Sequence, residues 1–195
     1  MGQRTLIIFD WDDTLLPTSW LNSQYLLQDL NSKPSETTTI ILDDIAESVL
    51  TVLRLAQMHG SVIIVTNSEV GWVQRTCHRF LPKCLILIDT IPVVSARAAY
   101  EIFTESPVEW KTRAFHAECG AANNIVSIGD SECERQAVAT LIQPGCIVKS
   151  LKLDNNPSPG KIKTQLIMLR EMLVKIIEHP TSIDVVCNSL TNSRC

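Results

Sequence analysis

The apolar positions of this chain fall into two rhythms. Five short runs are apolar without alternation: residues 5–9 (Thr5-Leu6-Ile7-Ile8-Phe9), 61–65, 85–88, 124–128 and the shorter 146–148. Unbroken runs of this length suit strands buried on both faces. The first stops at Asp10, the second at Thr66-Asn67, the third at Asp89 and the fourth at Gly129-Asp130. Between the first two runs, Ile45, Val49, Val52, Leu53 and Ala56 recur at a period near 3.6 and predict a helix over 43–59, with Gly60 as its stop. Ser106-Pro107-Val108-Glu109 has the form of a capping box with proline at the first helical position, and opens a helix expected to reach Cys119. Ser131 and Glu134 offer a second box just after the fourth run. A last helix is expected over 161–178, entered through the loop 155–160 and ended by Pro180. Residues 181–195 are polar and aperiodic and read as a flexible tail.

Strands alternating with helices, the strands fully apolar, predict an α/β protein of three-layer, Rossmann-like type, its central sheet mostly parallel and covered on both faces. The expected organisation is a single domain over 1–180, with 17–42 as a flap or minimal cap region. Composition agrees: of 195 residues, 45% are hydrophobic and 19% charged, the balance of a globular chain with a sizeable core. No apolar run approaches the ~18–20 residues of a membrane span, and Arg4 precedes too short an apolar run for a secretory signal. Leu6 breaks the usual myristoylation pattern. The net charge is −4 with no basic block, which speaks against a nucleic-acid partner. Seven cysteines without a Cys-x-x-Cys pair, most of them in apolar segments, read as reduced core residues of a cytoplasmic protein. The four histidines supply no zinc-binding cluster.

Sheets of this kind bind ligands at the carboxyl ends of their strands. The polar residues expected there are Asp10, Asp12 and Asp13 after the first strand, Thr66 and Asn67 after the second, and Asp130 after the fourth. Three carboxylates within four residues, Asp10-Trp11-Asp12-Asp13, repel each other unless a cation sits among them. Oxygen donors with no nearby His or Cys suit a hard cation, Mg²⁺ first.

In these residues the chain resembles the haloacid dehalogenase superfamily of phosphohydrolases. Ile7-Ile8-Phe9-Asp10-Trp11-Asp12-Asp13-Thr14-Leu15 is similar to its first motif, an apolar strand followed by Asp-x-Asp-x-Thr. Ile63-Ile64-Val65-Thr66-Asn67 resembles the second, and Lys111 is the counterpart of the basic third, with Lys83 and Arg97 as the other basic candidates. Val126-Ser127-Ile128-Gly129-Asp130 followed by Glu134 is similar to the fourth. The resemblance implies that Asp10 is a nucleophile forming an aspartyl-phosphate and that Asp12 is the general acid and base. It further implies that Thr66, Asn67 and Lys111 bind the phosphoryl group, and that Mg²⁺ is held by the Asp10 and Asp130 side chains and the Asp12 main-chain carbonyl. Trp11, between the two aspartates, is expected to shape the pocket wall. The stripe Trp20, Leu21, Tyr25, Leu26 and Leu30 is expected to pack against the body.

The segments available for a separate cap domain are too short to fold alone, so the site is expected to be open or closed by a partner. An open site favours a bulky phosphorylated substrate, such as a phosphoprotein, over a small sugar phosphate. Two other classes fit the residues less well: a binding or scaffolding protein that keeps the fold without turnover, and a receiver-type phospho-accepting signalling domain.

Overall fold

Residues Leu6 to Phe9 are all buried, and a strand buried on both faces needs neighbours at both edges and helices above and below. The computed structural model describes residues 4–29 and 33–187. Among these, β1 (Thr5–Phe9), β2 (Ser61–Thr66), β3 (Val93–Ser95), β4 (Asn124–Gly129), β5 (Ile147–Lys152) and β6 (Ile183–Val186) form one all-parallel sheet. Its order is β3-β2-β1-β4-β5-β6. The chain builds outward from β1 to one edge, then returns to β1 and builds to the other. The reversal leaves a crevice at the carboxyl ends of β1 and β4.

Alternation within β1 divides the core. Ile7 and Phe9 join Val62, Ile64, Val126 and Ile128 beneath α2 (Glu36–His59), α3 (Trp72–Phe80) and α8 (Pro159–Glu178). Leu6 and Ile8 join Ile63, Val65, Ile125 and Val148 on the opposite face, covered by α5 (Ala96–Tyr100), α6 (Pro107–Glu118) and α7 (Glu132–Ala139). These are the three layers that the apolar runs predict. The helix read over 43–59 begins earlier, at Glu36, where the Ser35 side chain accepts from the Thr38 amide. Within the expected flap region 17–42, the described residues include α1 (Thr18–Ser23) and the first two turns of α2; residues 30–32 lie outside the described residues. Within the stripe, Leu21 is buried and Trp20 and Leu26 pack on the core, whereas Tyr25 is exposed; Leu30 lies outside the described residues.

Three expectations are corrected. Residues 85–88 form not a strand but the short helix α4 (Leu85–Ile88), following a single 3₁₀ turn at Pro82–Cys84. Cys84 and Ile88, four apart, are buried while Ile86 is 85% exposed, a helical spacing that a four-residue run cannot reveal. The third strand is instead Val93–Ser95, short and half-buried at the sheet edge. Residues 183–186, read as tail, form β6, with Ile183 and Val185 turned to the core and Asp184 outward to Arg135 on α7. Residues 188–195 of that expected tail lie outside the described residues. Finally, the Trp11 ring is fully buried in the core, and its indole donates to Thr76 Oγ1 at 3.0 Å, so it is not a pocket wall. Among the described residues no helix is long and apolar enough to cross a membrane.

Trp11 fastens the turn after β1 to α3. Trp11→Phe removes the indole and its hydrogen bond and should lower the free energy of unfolding by about 1–3 kcal/mol. Urea denaturation measures this, and a loss under ~0.5 kcal/mol would contradict the packing role.

Candidate active site

The backbone after β1 turns sharply. Asp13 lies in the left-handed region at φ 55°, which aspartate tolerates better than most residues, and its amide donates to the Leu16 carbonyl at 2.7 Å. This turn gives the three neighbouring carboxylates three different surroundings. Asp10 continues the line of the strand, its amide bonded to the Ile128 carbonyl on β4. Asp12 faces the end of β2 and the start of α3. Asp13 faces α1, where its carboxylate accepts from the amide (2.9 Å) and hydroxyl of Ser19.

Asp10 is 6% exposed and meets a lysine from the other side of the crevice. Ser106 caps α6, accepting from the Glu109 amide, with Pro107 in the first turn. That fixes the helix start, and one turn later Lys111 points inward, fully buried. Lys111 Nζ donates to Asp10 Oδ1 at 2.6 Å and also to Glu134 Oε1. Of the three basic candidates, Lys111 is therefore the one that meets Asp10; Lys83 pairs with Asp43 and Glu47, and Arg97 with Glu101. Glu134 holds two positions at once. Its second oxygen accepts from the amide (2.9 Å) and hydroxyl (2.6 Å) of Ser131, completing the capping box of α7. Gly129 makes room for it: a Cβ there would stand 2.4 Å from Glu134 Cγ.

The charges do not balance. Burial raises the Asp10 carboxyl well above its ordinary value; Lys111 pulls it down, but Glu134, Asp12 and Asp130 push it up again. Burial likewise works against the Lys111 ammonium, yet its two carboxylates outweigh that and raise it. Glu134 is the favoured partner: burial opposes its charge, and Lys111 and Ser131 overcome this and lower it. Asp130, at the end of β4, is raised to about 7, first by burial and then by Glu134 and Asp13. No hydrogen bond or ion pair reaches its carboxylate among the described residues. Its main-chain carbonyl is held by the largely buried Lys152 Nζ, which also donates to Leu153 O and Asn155 Oδ1.

Asp12 is differently placed. Its Oδ1 accepts from Thr18 Oγ1 (2.7 Å) and from the Trp72 indole (2.9 Å); its Oδ2 accepts from Ser68 Oγ (2.8 Å) and, more loosely, Thr66 Oγ1 (3.3 Å). Thr66 also accepts from the Ser68 amide, and Asn67 donates to the Pro107 carbonyl at 3.1 Å, tying the end of β2 to the start of α6. Asn67 Oδ1 and Thr14 Oγ1 are buried without partners among the described residues. So Asp10, Asp12, Thr66, Asn67, Lys111 and Asp130 converge on one edge of the sheet. Thr18, Ser68, Trp72 and Lys152 are the members that the sequence did not announce. Ser68, two residues past Thr66, and Lys152, a charge ending an apolar strand, carried a faint signal; Trp72 carried none.

Among the described residues, no group of three or more His, Cys, Asp or Glu side chains is arranged to hold a metal ion. What the crevice does offer is two carboxylates, Asp10 and Asp130, and the main-chain carbonyl of Asp12. These are hard oxygen donors carrying more negative charge than Lys111 offsets. A small hard cation that keeps several waters needs one or two carboxylates and not a full cage, and the unpartnered Asp130 carboxylate fits that demand.

Two outcomes follow. Gly129→Ala should cost about 1–3 kcal/mol in urea denaturation by driving Glu134 off its partners, and much less in a Glu134→Ala background, where the clash is gone. Equal costs in both backgrounds would refute the cradle. In chelator-treated protein, the native state holds a proton on Asp130 that the unfolded state releases between the ordinary value of 3.8 and about 7. Unfolding free energy should therefore fall as pH rises through that window, and Asp130→Asn should flatten the fall. A slope unchanged by the substitution would exclude Asp130 as its source. Among protein-family models, curated proteins and solved structures, none matches this chain.

Proposed function

We propose that this chain is a Mg²⁺-dependent phosphomonoester hydrolase that works through an aspartyl-phosphate on Asp10. The observation carrying the reading is the buried Asp10–Lys111–Glu134 arrangement at the sheet's reversal point, with the hydrogen-bonded carboxylate of Asp12 two residues away. Lys111 orients Asp10 through Oδ1, so that the carboxylate presents a fixed oxygen to phosphorus. That oxygen forms a bond to phosphorus while the bond to the leaving alcohol breaks, and Asp12 gives the alcohol its proton. In the second half, water attacks the same phosphorus, Asp12 takes its proton, and the bond to Asp10 breaks to release inorganic phosphate. Mg²⁺, held by Asp10, Asp130 and the Asp12 carbonyl, would supply the charge neutralisation that lets a carboxylate approach a phosphoryl dianion.

The partners of Asp12 suit a group that must be charged in one step and protonated in the next. Hydroxyls reverse their role, donating to a carboxylate and accepting from a carboxylic acid. Three of its four partners, Thr18, Ser68 and Thr66, are hydroxyls. The Trp72 indole, a donor only, keeps Oδ1 as the acceptor and leaves Oδ2 to carry the proton. Glu134 and the alternating charges hold Lys111 in place, and Lys111 stands ready to meet the transferring phosphoryl oxygens.

The surroundings support a bulky substrate. Beside Thr66 opens a pocket of about 270 Å³, lined by Glu69, Val70, Gln74 and Val93 among others. Val70, on its rim, is 72% exposed. No folded lid encloses this flank among the described residues. A phosphorylated protein segment, which brings its own bulk, suits such a site better than a small sugar phosphate.

The test is turnover of a generic aryl phosphate. Activity should require Mg²⁺, vanish in excess chelator, and fall by ~10³-fold or more in Asp10→Asn, whose amide cannot form the acyl-phosphate. Phosphopeptides should exceed sugar phosphates in kcat/KM. Retained turnover in Asp10→Asn or in chelator would overturn the mechanism, and a folded protein with no turnover would support the binding-protein reading.

A further inference from the structure

The ladder between β4 and β5 stops where the candidate active site begins. Gly129 and Lys152 form its last pair, and the Leu153 amide still donates to the Gly129 carbonyl at 2.7 Å. The next carbonyl of that chain, on Asp130, lies past the last pair and is met by a side chain. Lys152 turns its ammonium over the sheet end and donates to the Asp130 carbonyl, to the Leu153 carbonyl at 2.8 Å and to Asn155 Oδ1. An ammonium carries three donors and no acceptor, so each proton has its oxygen.

The setting of this lysine differs from that of Lys111. Lys111 meets two carboxylates, whereas the three acceptors around the largely buried Lys152 are neutral oxygens. Neutral oxygens converging on one cation are the means by which proteins replace the water shell of a free potassium ion. Here the cation is tethered to the chain. Its oxygens come from two loops, one carrying Asp130 and the other carrying Asn155. The second loop is itself fixed to the first turns of α8, where Asp154 Oδ2 accepts from Gln165 Nε2 at 3.0 Å and pairs with Lys161 at 3.1 Å. Lys152 thereby joins the loop that bears a candidate cation ligand to one that is already anchored.

We propose that Lys152 is a positioning residue, a tethered monovalent cation that locks the loop after β4 to the loop after β5 and so sets where the Asp130 carboxylate stands in the crevice. The three oxygens form a cation seat that free ammonium or potassium fills when the lysine side chain is cut away. The role of Asp130 rests on the hydrolase reading; the seat itself does not.

The experiment compares ammonium, potassium and tetramethylammonium chlorides on the full chain in chelator, each at ~100 mM so that screening is equal. NMR follows the Ser131 amide, which shares a peptide group with the Asp130 carbonyl. Lys152→Ala should displace this resonance. Ammonium or potassium should return it saturably towards its wild-type position, and tetramethylammonium, too bulky for the seat, should not. The wild type, whose seat is filled, should respond alike to all three salts. With the chelator removed, calorimetry follows Mg²⁺. Its binding should weaken ~10-fold or more in Lys152→Ala and recover with ammonium but not with tetramethylammonium. A loss that no small cation reverses is what a merely structural lysine would give, and it would overturn the proposal. Should Lys152→Ala fail to fold, the wild-type Lys152 ammonium resonance decides. It should exchange its protons slowly and couple through its hydrogen bonds to the Asp130 and Leu153 carbonyl carbons; exchange as fast as that of surface lysines overturns the seat. A wild type that binds no Mg²⁺ counts against the hydrolase reading alone, because the Ser131 resonance judges the seat without any metal.

Discussion

Everything at the candidate site depends on one buried ammonium group shared by two carboxylates. Lys111 lies in the interior and so do both of its partners, Asp10 and Glu134. Burying three charges is expensive, and the cost is met only while each ion keeps its counterparts at short range. Of the two carboxylates, Glu134 is held in its charged form, against burial, by Lys111 and Ser131, whereas burial raises Asp10. The local structure supports the arrangement from several sides. The proline-started α6 aims the lysine, Gly129 leaves room for the glutamate, and the capping box of α7 holds its second oxygen. A cluster arranged this way holds its three members in fixed positions.

The sheet order explains why these groups meet. β1 and β4 lie side by side, so Asp10 and Asp130 leave the sheet as neighbours though 120 residues apart in the chain. The helices on either face reach the same edge from opposite directions. α6 brings Lys111 from one layer and α3 brings Trp72 from the other. Two acids two residues apart thereby sit in unlike settings: Asp10 is buried against a cation, and Asp12 is half-buried among hydroxyls and an indole. A pair of carboxylates in unlike environments can hold unlike roles.

Much of this was legible in the sequence because the central strands are apolar throughout and end abruptly in carboxylates. Lys111 could be placed because Ser106-Pro107 fixes where its helix begins. The edges were less legible. β3 and β6 are short and half-buried, so each carries too few apolar residues to form a run, while residues 85–88 form an apolar run and are helical. The partners of Asp12 were unreadable for another reason. Thr18, Ser68 and Trp72 sit at loop ends and helix starts, where side-chain direction is set by the local turn and not by any period.

The central place of β1 has a consequence for how the protein is made. Thr5 pairs with Asn124, so during synthesis β1 gains its second neighbour only after about 120 further residues have been added. At translation speeds of ~5–20 residues per second, that interval is roughly 6–24 s. Throughout it, the most apolar strand of the protein has at least one open edge at the heart of the future sheet, next to a half-formed cluster of aspartates. Those charges sit directly after Phe9, where they discourage a foreign strand from pairing along that edge.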